Sequence, residues 1–363
     1  MDILQIKTET KQYPVYIGSN ILDQLTDLLT ADNERISHIM VIADKTVFEL
    51  HGETLKKYLP DALEVSIFNV PPGEEAKSLK VYDDCMTFAI EKGMDRQSCI
   101  LAFGGGACGD LAGFVAATYM RGIKFLGIPT TILAHDSSVG GKVAVNHKLG
   151  KNLIGQFYHP EAVIYDTSFL TSLPAKEVRS GMAEVIKHAL ISDEEFYRQL
   201  LNNLQSFSAI DSNFLINCLK RGITVKAEIV ANDEKENGIR AFLNFGHTYG
   251  HALENLEGYK GISHGEAVMT GMVYALFLSV KHAGLNFDLE EFITWVKNLG
   301  YPLAFPGKYS FEEIYEVMTR DKKAANKIPK FVLLKAIGHP VLQKLSQEDL
   351  REAHEFILSI KGE

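Results

Sequence analysis

Short runs of aliphatic and β-branched residues alternate with amphipathic stretches through the first half of the chain. "HIMVIAD" (38–44) is apolar almost without interruption, as a strand covered on both faces requires, and "KTVFELHGETLKKYL" (45–59) follows with apolar positions at helical spacing. "LEVSIFNV" (63–70) reads as a further strand, and "SLKVYDDCMTFAIEKG" (78–93) as a helix that stops at Gly93. "CILAFGGG" runs into the helical "DLAGFVAATYM", and "KFLGIPTT" and "AVIYD" continue the strand series. Strands alternating with helices predict parallel pairing. From about Leu173 the period changes. "PAKEVRSGMAEVIKHALI", "NFLINCLKRGITVKAEIVAND", "GEAVMTGMVYALFLSVKHAG" and "DLEEFITWVKNLG" all carry helical spacing. The expected architecture is an α/β domain over residues 1–175 with a Rossmann-like, mostly parallel sheet, then a mainly α-helical domain over 176–363.

Composition narrows the function classes. A formal net charge of −9 over 363 residues gives no electrostatic footprint for nucleic acid. No apolar run approaches the roughly 20 residues that span a bilayer, and "MDILQIKTETKQYPV" has no signal-peptide core. Cys85, Cys99, Cys108 and Cys218 form no C-x-x-C pair, so reduced thiols in a cytoplasmic protein are expected.

Three stretches carry candidate chemistry. In "FGGGACGDLAG", Gly104, Gly106 and Gly109 satisfy G-x-G-x-x-G between a strand and a helix, where backbone N–H groups and a helix N-terminus can cradle a pyrophosphate. The bare pattern is weak, it follows a later strand than the usual fingerprint, and a tight glycine turn is the bland alternative. Asp44 and the Pro129–Thr131 hydroxyls end neighbouring strands on what would be the same rim. In the second half, "GMAEVIKHAL" carries Glu184, Lys187 and His188, "LNFGHTYGHALE" carries His247 and His251 four apart, and "ISHGEAV" carries His264. One carboxylate with two or three imidazoles is a zinc inventory, though a buried histidine is more often a satisfied core residue. The third stretch, "DSSVGGKVAVNHKLGKN", sets Lys142, Lys151 and Asn152 among glycines without a helical face. Such lysines suit an anionic ligand better than a solvated surface does.

Taken together, "GGGACGDLAGFVAATYMRG", "PTTILAHDSSVGGKVAVNHKLGKNLIG", "SGMAEVIKHALI", "LNFGHTYGHALE" and "SHGEAV" resemble the 3-dehydroquinate synthase family from about residue 14 to residue 340. The resemblance implies conversion of 3-deoxy-D-arabino-heptulosonate 7-phosphate to 3-dehydroquinate and phosphate, a step of the shikimate pathway toward aromatic amino acids, with NAD⁺ consumed and regenerated in each turnover. It implies zinc or cobalt held by Glu184, His247 and His264. It places NAD on Asp44, Glu74, Lys77, Gly105, Gly106, Asp110, Thr130, Thr131, Lys151 and Phe169. Catalytic roles fall to His251, Lys142, Lys187, Asn152 and Arg240, and substrate binding to Arg121, Asp136, Lys226 and Asn244. A late substrate lysine falls on Lys322 or Lys323. The family's equivalent of Arg121 crosses a subunit boundary, which implies a homodimer.

Overall fold

The computed structural model describes residues 1–31, 36–236, 238–258, 261–320 and 330–360. The chain folds into two compact units. The first is discontinuous: it comprises Met1–Leu173 and Ile216–Glu234, and the second comprises Pro174–Leu215 and Lys235–Glu363.

In the first unit the strands are β1 (Asp2–Lys7), β2 (Gln12–Gly18), β3 (His38–Asp44), β4 (Glu64–Val70), β5 (Cys99–Gly104), β6 (Lys124–Pro129), β7 (Lys142–His147), β8 (Gly150–Phe157) and β9 (Ala162–Asp166). Seven of them form one sheet in the order β1-β2-β9-β6-β5-β3-β4, parallel throughout except for the β1–β2 pair at one edge. Every residue of β3, β5 and β9 is buried, which is why these strands read as unbroken apolar runs. Alternate β3 side chains serve two cores. Met40 and Ile42 pack with Leu111, Val115 and Phe125, whereas Ile39, Val41 and Ala43 pack with Leu25, Leu55 and Phe103. Helix Gly106–Thr118 covers the first of these faces, and helices Asp23–Thr30 and Lys45–Lys56 the second.

Parallel pairing fixes the functional rim. Ala43 lies opposite Phe103, and Gly104 opposite Pro129, so the carboxyl ends of β3, β5 and β6 emerge side by side. The glycine-studded stretch that carries Lys142, Lys151 and Asn152, in which the sequence shows no helical face, runs into an antiparallel hairpin of β7 and β8. Most of β8 is exposed, which leaves no apolar alternation to read.

The second unit is helical, apart from a hairpin of β10 (Lys330–Ala336) and β11 (His339–Lys344). Its central element is helix His264–His282, in which 14 of 19 residues are buried. A helix apolar nearly all round belongs inside a bundle. It packs against helices Ala175–Ser192, His247–Leu256 and Gln347–Ser359 and against β10.

Candidate active site

Glu184 lies in the middle of helix Ala175–Ser192, where residues 180–191 are all buried. His247 and His264 are each the first residue of a helix. Gly246 precedes His247 at φ +80°, a left-handed conformation that turns the chain sharply into the helix. Glycine is also required there sterically, because a Cβ would stand 2.7 Å from Met272 Cγ and 2.9 Å from the Val268 carbonyl. His264 follows Ser263, whose hydroxyl caps Glu266 while the Glu266 carboxylate accepts from the Ser263 N–H, a reciprocal capping box. Arg179 braces Glu266 from a neighbouring helix at 2.9 Å.

These three elements bring the predicted ligands together. His247 Nε2 is 3.5 Å and His264 Nε2 is 3.4 Å from the same oxygen, Glu184 Oε1. Donors arranged tetrahedrally about 2.1 Å from an ion stand roughly 3.4 Å apart, so this donor set fits a zinc-sized cation. Ring nitrogens of His247, His251 and His264 also lie within 4.8 Å of one another. The two imidazoles are shifted in opposite directions. Burial opposes a charged His264, yet Glu254 and Glu184 on either side hold it up at about 10. Burial pushes His247 well below its usual value, with Glu184 opposing and Lys187 reinforcing.

Lys187 is buried one helical turn from Glu184 and pairs with its Oε2, which leaves Oε1 facing the two imidazoles. Arg240 is 1% exposed and among the largest fully buried side chains of the molecule. The side chain of His251 is 48% exposed, with its ring centroid 5.0 Å from that of His247. Asn244 donates to Glu236 at 3.1 Å.

The first unit gathers most of the remaining predicted residues at the carboxyl rim of the sheet. Gly105 is the extended residue that opens helix Gly106–Thr118, and a Cβ there would lie 2.9 Å from Thr131 Cγ2. Gly106 abuts Ser137 in the same way, whereas nothing stands within 4 Å of a Cβ at Gly109. The third glycine of the sequence pattern therefore has no packing role. Asp44 caps helix Lys45–Lys56, its Oδ1 accepting from Thr46 and Val47 N–H, and it lies beside Gly104. Among the described residues, the buried hydroxyls of Thr130 and Thr131 have no hydrogen-bond partner. Two orphaned hydroxyls beside a glycine turn and a helix N-terminus fit a nucleotide's ribose and phosphate groups.

Lys77 is 3% exposed and donates to Asp110 and Asn152, each at 2.5 Å. Asn146, which the sequence did not single out, donates to Glu74 at 2.7 Å and accepts from the Asn152 N–H at 2.9 Å. Lys151 completes this network 3.8 Å from Glu74. Burial pushes the Asp110 carboxyl up, with Lys77 opposing. Asn152 sits at φ +57°, held there by its partners on both sides. Lys226 pairs with Asp136 at 3.0 Å. Lys142 is exposed at the start of β7, and Arg121 is exposed after helix Gly106–Thr118 at φ +70°. The Phe169 ring is buried against Phe103 and His51 in the core, so any cofactor contact from it is by backbone. Cys108 is buried and its thiol is pushed up by burial, as a small apolar filler would be. Lys322 and Lys323 lie outside the described residues. A second omission of the sequence reading is Glu254, buried beside His264; it falls three residues after His251 and seven after His247, on their side of one helix.

A model of the 3-dehydroquinate synthase N-terminal region matches residues 67–180, and one of the C-terminal region matches 181–324. The chain belongs to the 3-dehydroquinate synthase family. It is 49% identical over 362 residues to a 3-dehydroquinate synthase of Listeria monocytogenes, covering 100% of this chain and 99% of that one. It is 47% identical over 352 residues to one of Bacillus pumilus, covering 97% of each. Among solved structures it resembles a 2-deoxy-scyllo-inosose synthase complexed with carbaglucose-6-phosphate, NAD⁺ and Co²⁺, with a TM-score of 0.88 at 27% identity over 98% of this chain and 99% of that one. An iron-containing alcohol dehydrogenase of Thermococcus thioreducens shares the fold alone, with a TM-score of 0.71 at 15% identity over 98% of this chain and 99% of that one. Fold similarity thus spans cyclases and dehydrogenases, while identity near one half falls on the dehydroquinate synthases.

Proposed function

We propose that this chain is a working 3-dehydroquinate synthase, a lyase that converts 3-deoxy-D-arabino-heptulosonate 7-phosphate to 3-dehydroquinate and inorganic phosphate in the shikimate pathway. The observation that carries this reading is the convergence of His247 and His264 on one oxygen of Glu184. Glu184, His247 and His264 would hold Zn²⁺ or Co²⁺. The rim residues Asp44, Glu74, Lys77, Gly105, Gly106, Asp110, Thr130, Thr131 and Lys151, with the backbone of Phe169, would hold NAD. When bound, NAD⁺ supplies a reversible oxidation of the sugar carbinol and the divalent cation supplies the charge that acidifies the substrate's oxygens.

The protein's own groups then bind, orient and move protons. Buried Arg240 suits a carboxylate or phosphate, since guanidinium presents a fixed fork of donors where water cannot compete. Lys142, Lys226 and Arg121 add cations, and Asn152, Asn244 and Asp136 fix polar groups. Lys187 neutralises the second oxygen of Glu184, so the carboxylate keeps its position through the cycle. His251, half in solvent and beside His247, would carry a proton between bulk water and the substrate. Phosphate leaves from the carbon next to the one that loses a proton, and as a base it can take that proton itself. Ring opening and aldol closure then need restraint more than further catalysis. A cytoplasmic homodimer completes the proposal. No described helix is long and apolar enough to cross a membrane.

The test supplies the divalent-loaded protein with the heptulosonate phosphate and a trace of NAD⁺, and follows inorganic phosphate. Phosphate released far in excess of NAD⁺, with no net NADH absorbance, is expected. NADH accumulating in proportion to substrate would instead identify a polyol dehydrogenase, and a failure to release phosphate would leave a binding protein.

A further inference from the structure

Glu254 is 5% exposed, and its Oε2 lies 3.1 Å from His264 Nδ1 and 4.0 Å from His251 Nε2. The opposite nitrogen of His264, Nε2, is the one 3.4 Å from Glu184 Oε1. A neutral imidazole has one nitrogen that carries the proton and one that offers a lone pair, and a hydrogen bond to the first decides which is which. His247 is disposed in the same sense by a different acceptor. Its Nδ1 is 3.1 Å from the Phe245 carbonyl, and its Nε2 is 3.5 Å from Glu184 Oε1. Both rings therefore turn Nε2 toward the same point, one fixed by backbone and the other by a buried carboxylate. The two acceptors differ in strength, since a carboxylate draws the Nδ1 proton harder than an amide carbonyl does.

We propose that Glu254 is a positioning residue for the divalent cation: it accepts the Nδ1 proton of His264, locks that ring with Nε2 toward Glu184, and raises the donor strength of Nε2. The proposal rests on the cation site described under the proposed function. Glu254 stands on helix His247–Leu256, so the helix that supplies one imidazole donor also orients the other. Outer partners of this kind contribute about 10–100-fold to metal affinity.

Co²⁺ is the probe, because its visible bands report the strength and symmetry of its ligands. The dissociation constant is measured by competition with a chromophoric chelator for the parent, Glu184→Gln, Glu254→Gln and Glu254→Asp, with the unfolding temperature of each metal-free protein recorded alongside. Glu254→Gln is expected to weaken Co²⁺ about 10–100-fold with altered bands, in a metal-free protein that unfolds at a lower temperature but still cooperatively. Glu254→Asp, which keeps the charge on a shorter stem, should recover part of the loss. Parent-like affinity in both Glu254 variants overturns the proposal. Should Glu254→Gln fail to fold, Glu254→Asp decides: weaker Co²⁺ binding supports it and unchanged binding overturns it. Parent-like affinity in Glu184→Gln overturns the cation site itself, and this proposal with it. Loss confined to Glu184→Gln overturns only the role of Glu254.

Discussion

The two units build their candidate sites by different means. Among the described residues of the second unit, the charged side chains around the candidate cation point are mounted on helices. Glu184, Lys187 and Glu254 are almost wholly buried and paired with neighbours. In the first unit the predicted nucleotide-binding groups sit where strands end and turns begin, and Glu74, Asp110 and Lys151 are partly exposed, with Lys77 the buried exception. Buried, paired charges are unforgiving, because removing one partner strands the other in a medium that solvates it poorly. Rim groups can be lost with a change in affinity and little change in fold. The same substitution type should therefore cost stability and chemistry in one unit and mainly binding in the other.

The largest effect is expected at Glu184. Glu184→Gln removes the shared donor and leaves Lys187 buried without its counter-ion. Phosphate release should fall by at least about 10³-fold, together with bound divalent metal, and stability should fall by about 3 kcal/mol. Retained metal with parent-like turnover would break the comparison at its strongest point. His251 tests whether exposure moderates the effect. His251→Ala should lower phosphate release by roughly 10²–10³-fold while metal content and unfolding temperature stay close to the parent's. An enzyme that kept full turnover would remove His251 from the proton path.

Glu234 belongs to the first unit yet is built like the second. It is 3% exposed, accepts from Thr10 Oγ1 at 2.7 Å, and lies 2.9 Å from His159 Nε2. Burial alone would raise its carboxyl, but His159 and Thr10 hold it down at about 2. A carboxylate depressed on folding stabilises the native state above its unfolded value and loses that contribution as pH falls toward 2. The parent should therefore lose on the order of 3 kcal/mol between about pH 4.5 and 2 from this group. Glu234→Gln should be less stable at neutral pH and show a flatter acid limb in chemical denaturation. An unchanged acid limb would mean that Glu234 is equally ionised when unfolded. The smallest effect is expected at the rim. Gly105→Ala sets a methyl group against Thr131 and should weaken NAD⁺ binding about tenfold, or 1.4 kcal/mol, with metal content unchanged.

The same contrast governs what could be read in advance. β3, β5, β6 and β9 were legible because strands covered on both faces must be apolar throughout, and the long amphipathic helices because one face must be. In the β7–β8 hairpin, β8 was hidden because an exposed strand carries no such obligation, and the buried part of β7, Val143–Val145, is only three residues long. Nothing in its apolar spacing marks Ile216–Glu234 as part of the first unit, since a helix shows which face is buried and not against what. Glu184, His247 and His264 could be inventoried but not combined by spacing, as they come from three helices; the family resemblance chose among them. The polar network of Glu74, Asn146, Lys151 and Asn152 depends on a hairpin meeting a turn far away in sequence, for which no local signal exists. Glu254 was within reach, since its helical offset from His247 and His251 is fixed by geometry alone.

A Cβ on Gly271 would come to within 1.9 Å of the Gly246 carbonyl, so main chain rests directly on main chain where the two imidazole-bearing helices meet. The gap between those helices is accordingly the width of two bare backbones, and a side chain on either glycine would force them apart. Efforts to retune which ion is preferred would gain little from reshaping the surrounding core, and would do better to change the ligating side chains themselves.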